Sequence, residues 1–295
     1  MKTNLILSIV RKLSFDDLRP FLISLKRTGY TGEIVFFVSG LSSETAKRLQ
    51  DFGVQLIPFD YFSVRMRRPE LLLWPLWRRI FARMKTFEEK SALAKRVFFF
   101  MVLRHLLYYE FLMKNPERYA TIVSTDCRDV FFQSDPFARN YEPGLHVFLE
   151  GKTRTIATCP GNRRMIHDAF GSELLPKLGS HEPSCAGFTV GDHASMTAYL
   201  RLMTELAFQV REMPMVTGLD QGIHNYIIYE NPLPNTHLHP NGSGGVLTMS
   251  FAGPEEFDLN DSGFVSSRTD EPIAVLHQYD RHPALAKLLR RSVGE

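Results

Sequence analysis

The sequence predicts an α/β fold in which a mixed, mainly parallel sheet is flanked by helices. Three observations carry this. Up to Pro58, short β-branched apolar runs alternate with capped, amphipathic stretches, the strand–helix rhythm of a parallel sheet. Further on, the apolar run 119–123 closes on carboxylates. Beyond that, strand-like and helix-like segments continue to alternate.

Residues 4–10, NLILSIV, read as a buried strand, too short and too β-branched for a helix. Ser14 caps a helix with Asp16 and Asp17 in its first turn, where the dipole favours negative charge. Phe21, Leu22 and Leu25 keep helical spacing, against Pro20. Residues 32–38 form the second strand. Ser42 or Ser43 opens a helix that stops at Phe52 and Gly53, and 54–58 form the third strand. The rhythm breaks over 63–95, where Pro75 is expected to interrupt any helix. A long helix, 91–113, follows; it is apolar nearly all round and therefore expected to be buried. Later strands are expected at 146–150, 186–190, 246–251 and 272–277, helices at 194–208 and 220–229, and a loop over 231–245. No repeat, low-complexity segment or linker divides the chain, so 1–295 reads as a single domain.

Composition narrows the function. The chain has 295 residues, 44% of them hydrophobic, enough for a sizeable core. A formal net charge of +3 and the lack of a long basic block argue against nucleic acid. Cys127, Cys159 and Cys185 sit in no metal-like pair and suit free thiols in a reducing, cytoplasmic setting. The start, MKTNLILSIVRKLSFDD, makes a poor signal peptide, and no apolar run reaches the roughly 20 residues of a spanning helix. The segment 71–79, LLLWPLWRR, places aromatic residues beside arginines. It is expected to be buried or to cover a site; the other reading is peripheral contact with the inner membrane surface.

The chemistry concentrates in STDCRDVFFQSDPF, 124–137. In open α/β sheets ligands bind beyond the carboxyl ends of strands, where Asp126 and Asp129 are placed. Paired carboxylates there suit Mn²⁺ or Mg²⁺ bridging to phosphates. The bland reading is that Asp126 caps a turn and Asp129 pairs with Arg128 or another base. Three later segments add to the pattern. CAGFTVG, 185–191, has a small residue, Gly187, where backbone and ligand can approach closely. GLDQGIHN, 218–225, puts Asp220 and Gln221 at a helix start, with an N-cap as the plainer role for Asp220. VLHQYDR, 275–281, delivers His277 at a strand end. Arg104, on the apolar helix, is the candidate cation for a diphosphate, in competition with Lys95 and Arg96; its alternative is a salt bridge to Glu110 or another acid.

In this order the segments resemble nucleotide-sugar glycosyltransferases of the Rossmann-like GT-A fold, in particular the glycogenin-like branch, from about Asn4 to Arg281. TDCRDVFFQSDPF is also similar to a motif of uncharacterised relatives of these enzymes. The resemblance implies a hexosyltransferase moving a sugar from a nucleotide-diphosphate donor to a glycan, lipid-linked or other hydroxyl acceptor. Aligned on Val130 and Phe132, Asp129 matches the last acid of the family's D-x-D motif, Cys127 falls at the first, and Asp126 lies one residue earlier. The resemblance makes Asp129 and His277 metal ligands, leaves Asp126 to the metal, the ribose or neither, and puts Ser8, Val10, Arg104 and Gly187 at the donor. Asp220 and Gln221 fall near the sugar and acceptor, Asp220 as general base if the reaction inverts or as an orienting group if it retains. Two rivals remain: a nucleotidyltransferase, disfavoured because the basic turn 11–14 has no glycine, and a silent nucleotide-sugar-binding protein.

Overall fold

The structure is a computed structural model; it describes residues 2–61, 69–213, 218–253, 255–260, 263–267 and 272–294, with the side chains of 69–72 excepted. The first strand, β1 (Thr3–Arg11), leads into α1 (Phe15–Arg27), β2 (Glu33–Ser39), α2 (Ser43–Asp51) and β3 (Val54–Pro58). Helices α3 (Pro69–Arg83), α4 (Phe87–Val97) and α5 (Phe100–Met113) precede β4 (Tyr119–Thr125) and β5 (Val130–Phe132). Next come β6 (Leu145–Leu149), α6 (Pro160–Phe170), the single turn α7 (Leu175–Leu178), β7 (Ser184–Asp192), α8 (His193–Ala207) and α9 (Leu219–Glu230). The chain continues through β8 (Thr236–His239), β9 (Val246–Thr248), β10 (Phe257–Leu259), β11 (Val265–Ser267), β12 (Val275–His277) and α10 (Pro283–Ser292).

The main sheet has seven strands in the order β3-β2-β1-β4-β7-β6-β8, and all run parallel except β7. This is the mixed, mainly parallel sheet expected. Burial follows strand alternation. Leu5, Leu7 and Ile9 of β1 pack into one core with α5, α8 and α9, while Ile6 and Val10 pack with α1 on the opposite face. Each fully buried leucine contributes roughly 2 kcal/mol from apolar burial. A second sheet, β5-β12-β9, pairs β5 antiparallel with β12 and sets Val130 opposite His277.

Helix α1 starts as expected. Ser14 Oγ accepts from the Asp17 N–H at 3.2 Å and the Asp17 carboxylate accepts from the Ser14 N–H at 2.8 Å, a capping box. Other expectations are corrected. The single helix over 91–113 is two helices. Phe98 and Phe99 adopt extended backbone between them, with ψ of 143° and 140°, and buried Phe98 joins an aromatic cluster with Trp74, Phe81 and Phe208. Pro75 does not interrupt α3. Trp74 and Phe81 anchor that helix in the core, with Trp74 Nε1 donating to the Val210 carbonyl at 3.1 Å, whereas Leu73 and Leu76 are exposed. The region 231–245 is not all loop: β8 pairs with β6 there. The strands expected over 246–251 and 272–277 are shorter, Val246–Thr248 and Val275–His277.

Candidate active-site cleft

The strand order reverses between β1 and β4, and a cleft opens at their carboxyl ends, the place where open α/β sheets bind ligands. Its volume is about 410 Å³. The end of β1 supplies Ile9 and Arg11, and the turn after β4 supplies Asp126 to Asp129. Because β7 is antiparallel, its start lies at the same edge. The Asp126 N–H donates to the Gly187 carbonyl at 2.8 Å, bringing Cys185, Ala186 and Gly187 to the cleft.

Asp126, Asp129 and His277 converge there. One ligand atom of each lies within 4.8 Å of the others. The second sheet produces this proximity: Val130 faces His277 across β5 and β12, and the Gln278 N–H donates to the Asp129 carbonyl at 2.7 Å. Gly187 makes room. A Cβ there would lie 2.6 Å from Asp126 Oδ2 and 2.7 Å from His277 Nε2, so the glycine serves these two side chains by its size.

Two observations show that these residues fit a divalent cation. His277 is fully buried and neither ring nitrogen has a hydrogen-bond partner, an orphaned donor–acceptor pair that is costly unless something binds it. Burial, with the Asp126 and Asp280 carboxylates nearby, pushes Asp129 up to about 7, the mark of carboxylates crowded without enough positive charge. Burial also pushes His277 down to about 4, which leaves the imidazole neutral and able to coordinate. Two carboxylates and an imidazole suit Mn²⁺ well.

Arg104 sits at the cleft floor, 3% exposed, and ties two acids together. Its Nη1 donates to Asp126 Oδ1 at 2.5 Å, and its Nη2 donates to Asp220 Oδ2 at 2.7 Å and to the Ala186 carbonyl at 3.3 Å. The salt-bridge alternative for Arg104 therefore holds with Asp126 and Asp220 as the acids, while Glu110 pairs with Lys95 at 2.7 Å. Asp220 is not the N-cap; that position is Gly218, at φ 115°. Burial alone would raise the Asp220 carboxyl, but the Arg104 guanidinium overrides it and holds the group at about 2. Gln221 lines the cleft with its amide protons already committed: Nε2 donates to Asn162 Oδ1 at 2.7 Å and to Glu150 Oε1 at 3.1 Å.

Ser8 and Val10 do not line the cleft. Both side chains are fully buried, with Ser8 Oγ donating to the Thr125 carbonyl at 2.7 Å. Alternation gives the cleft to their neighbours Ile9 and Arg11. Lys95 and Arg96 line a different cavity. Sequence reasoning gave no role to Arg11 or Arg281 and saw in Arg128 only a partner for Asp129; all three bring cationic side chains to the cleft. Nothing in β1 singles out Arg11, because the strand is buried on both faces and shows no polar–apolar alternation. Glu150, 2% exposed with Oε2 unpartnered and its carboxyl raised by burial, was also passed over.

No protein-family model matches the chain. No curated protein matches it either. Among solved structures, it is similar to core-mannan synthase A from Aspergillus fumigatus in its Mn/GDP form, at 16% identity over 81% of this chain and 73% of the other, with a TM-score of 0.41. It is also similar to the galactosyltransferase LgtC in complex with donor and acceptor sugar analogues, at 14% identity over 99% of this chain and 96% of the other, with a TM-score of 0.48.

Proposed function

We propose that the chain, acting as one GT-A-like domain, transfers a sugar from a nucleoside-diphosphate donor to a hydroxyl acceptor. The observation that carries this is the convergence of Asp126, Asp129 and His277 at the switch-point cleft, beside arginines 11, 128 and 281. Asp129 and His277, with Asp126, would hold Mn²⁺ or Mg²⁺. Once bound, the cation would neutralise charge on the diphosphate leaving group. The arginines suit the same phosphates through charge-assisted hydrogen bonds. Catalysis would rest on positioning and on fixed charge in the cleft.

The pairing of Asp220 supports retention of anomeric configuration. Among the described lining residues the acids are Asp126, Asp129 and Asp220. Two of them are bound to Arg104 and the third belongs to the cation set. A carboxyl held at about 2 is a weak base toward a hydroxyl. Asp220 therefore acts as an orienting group through Arg104, and Gln221, whose carbonyl oxygen accepts from the Cys185 thiol at 3.6 Å, offers that oxygen's second lone pair to the sugar.

A thermal-shift screen of UDP-, GDP-, ADP- and CMP-linked sugars, with and without Mn²⁺, tests the donor class. One nucleotide is expected to raise the melting point, and to raise it further with the metal. A shift without turnover against any hydroxyl acceptor would favour a silent binding protein. No shift with any donor would refute the reading.

A further inference from the structure

A second cavity, about 750 Å³, lies farther along α5 and shares no lining residue with the cleft. It forms where β3, an edge strand, and β2 are flanked by α5. Its walls are apolar: Phe37, Ile57, Phe59, Leu103, Leu107 and Phe111. Drug-sized ligand pockets measure roughly 300–1,000 Å³ and combine such walls with a few polar groups. The polar groups here are charged and gathered at the rim. Lys95 is neutralised by Glu110 at 2.7 Å. Arg96 and Lys114 are exposed and make no ion pair among the described residues. Asp60 is the remaining acid of the lining, so the rim keeps an excess of positive charge.

We propose that this cavity binds an amphiphile with a hydrocarbon chain and an anionic head. The chain lies against Leu103, Leu107 and Phe111, and the head meets Arg96 and Lys114. Apolar walls reward any chain, because burying methylenes is favourable whatever their source. The rim's excess of positive charge, with Arg96 and Lys114 outside any ion pair among the described residues, selects a negative head. The site does not depend on the glycosyl-transfer reading, since α5 presents Arg104 to the cleft and Leu103 and Leu107 to this cavity.

Calorimetric titration of the full chain tests it, using dodecyl phosphate below its micelle concentration, dodecyl maltoside as an uncharged chain and glycerol 3-phosphate as a head alone. Dodecyl phosphate is expected to bind with one-to-one stoichiometry, at least tenfold more tightly than the maltoside, with no binding of the head alone. Leu107→Trp, which fills the cavity, is expected to weaken dodecyl phosphate at least tenfold. Arg96→Glu with Lys114→Glu, both at exposed positions, is expected to remove the preference for charge. Transfer of labelled phosphatidylglycerol from vesicles to the protein would assign the chain to a membrane source, and binding of monomers alone to a soluble one; either supports the site. No saturable binding, or binding that Leu107→Trp and Ile57→Trp both leave unchanged, overturns the proposal.

Discussion

Arg104 concentrates the electrostatics of the cleft in one side chain. Its charge is buried and survives because Asp126 and Asp220 both face it. Removing one member of such a group leaves the rest uncompensated, at a cost of about 3–5 kcal/mol. Arg104→Met is therefore expected to lower stability in urea by that order, and Arg104→Lys by less, because lysine keeps the charge without the planar fork. Gly187→Ala should act differently. The new Cβ meets Asp126 and His277, so Mn²⁺ affinity is expected to fall at least tenfold while the urea midpoint moves little; equal affinities would contradict the cradle. Much of this was legible in the sequence, which placed Asp129 and His277 together and singled out Arg104. Ser8 and Val10 were misread by one register. Both lie on the α1 face of the sheet, and a strand buried on both faces carries no alternation to show which residues turn toward a ligand.

The elements place the site through their connections. The turn after β4 is held by β7 on one side and by β12 on the other, through the Asp126 N–H to Gly187 bond and the Gln278 N–H to Asp129 bond. Strands β5 and β12, each three residues long, were the hardest to read, since short apolar runs give no period of their own. The break between α4 and α5 was missed for a related reason: neither Gly nor Pro marks it. It is set by tertiary packing, with Phe98 turned into a cluster with Trp74, Phe81 and Phe208. Phe98→Ala is expected to destabilise the fold by about 3–5 kcal/mol, read from urea unfolding. A loss below 1 kcal/mol would mean that the cluster does not fix the break. The persistence of α3 through Pro75 has the same origin, because buried Trp74 and Phe81 hold the helix on both sides of the proline. On its outer face, Leu73 and Leu76 are exposed beside Arg78 and Arg79.

Across the whole molecule, buried ionisable groups make stability depend on pH. His224 is fully buried between Tyr199 and Ser184, and burial pushes it down to about 3. In the unfolded chain it titrates near 6.5. Between those values the unfolded state binds the proton and the folded state does not, so stability is complete above about 6.5 and is lost as pH falls toward 3. Asp220 acts in the same direction at lower pH, with its contribution present above about 4 and lost as pH falls through about 2. Asp129, pushed up to about 7, acts in the opposite direction between pH 7 and pH 4, so the test compares wild type with His224→Gln: the difference in urea midpoint is expected to shift in the variant's favour as pH falls from 7 to 4, and a difference that pH leaves unchanged would contradict burial of a neutral His224. The most direct test of the central claim, that Asp126, Asp129 and His277 form one cation site, is a Mn²⁺ titration followed by electron paramagnetic resonance on the wild type, Asp129→Asn and His277→Ala. One Mn²⁺ bound per wild-type chain, with affinity reduced at least tenfold in each variant, is the expected result; no stoichiometric binding, or binding that neither substitution changes, would contradict it.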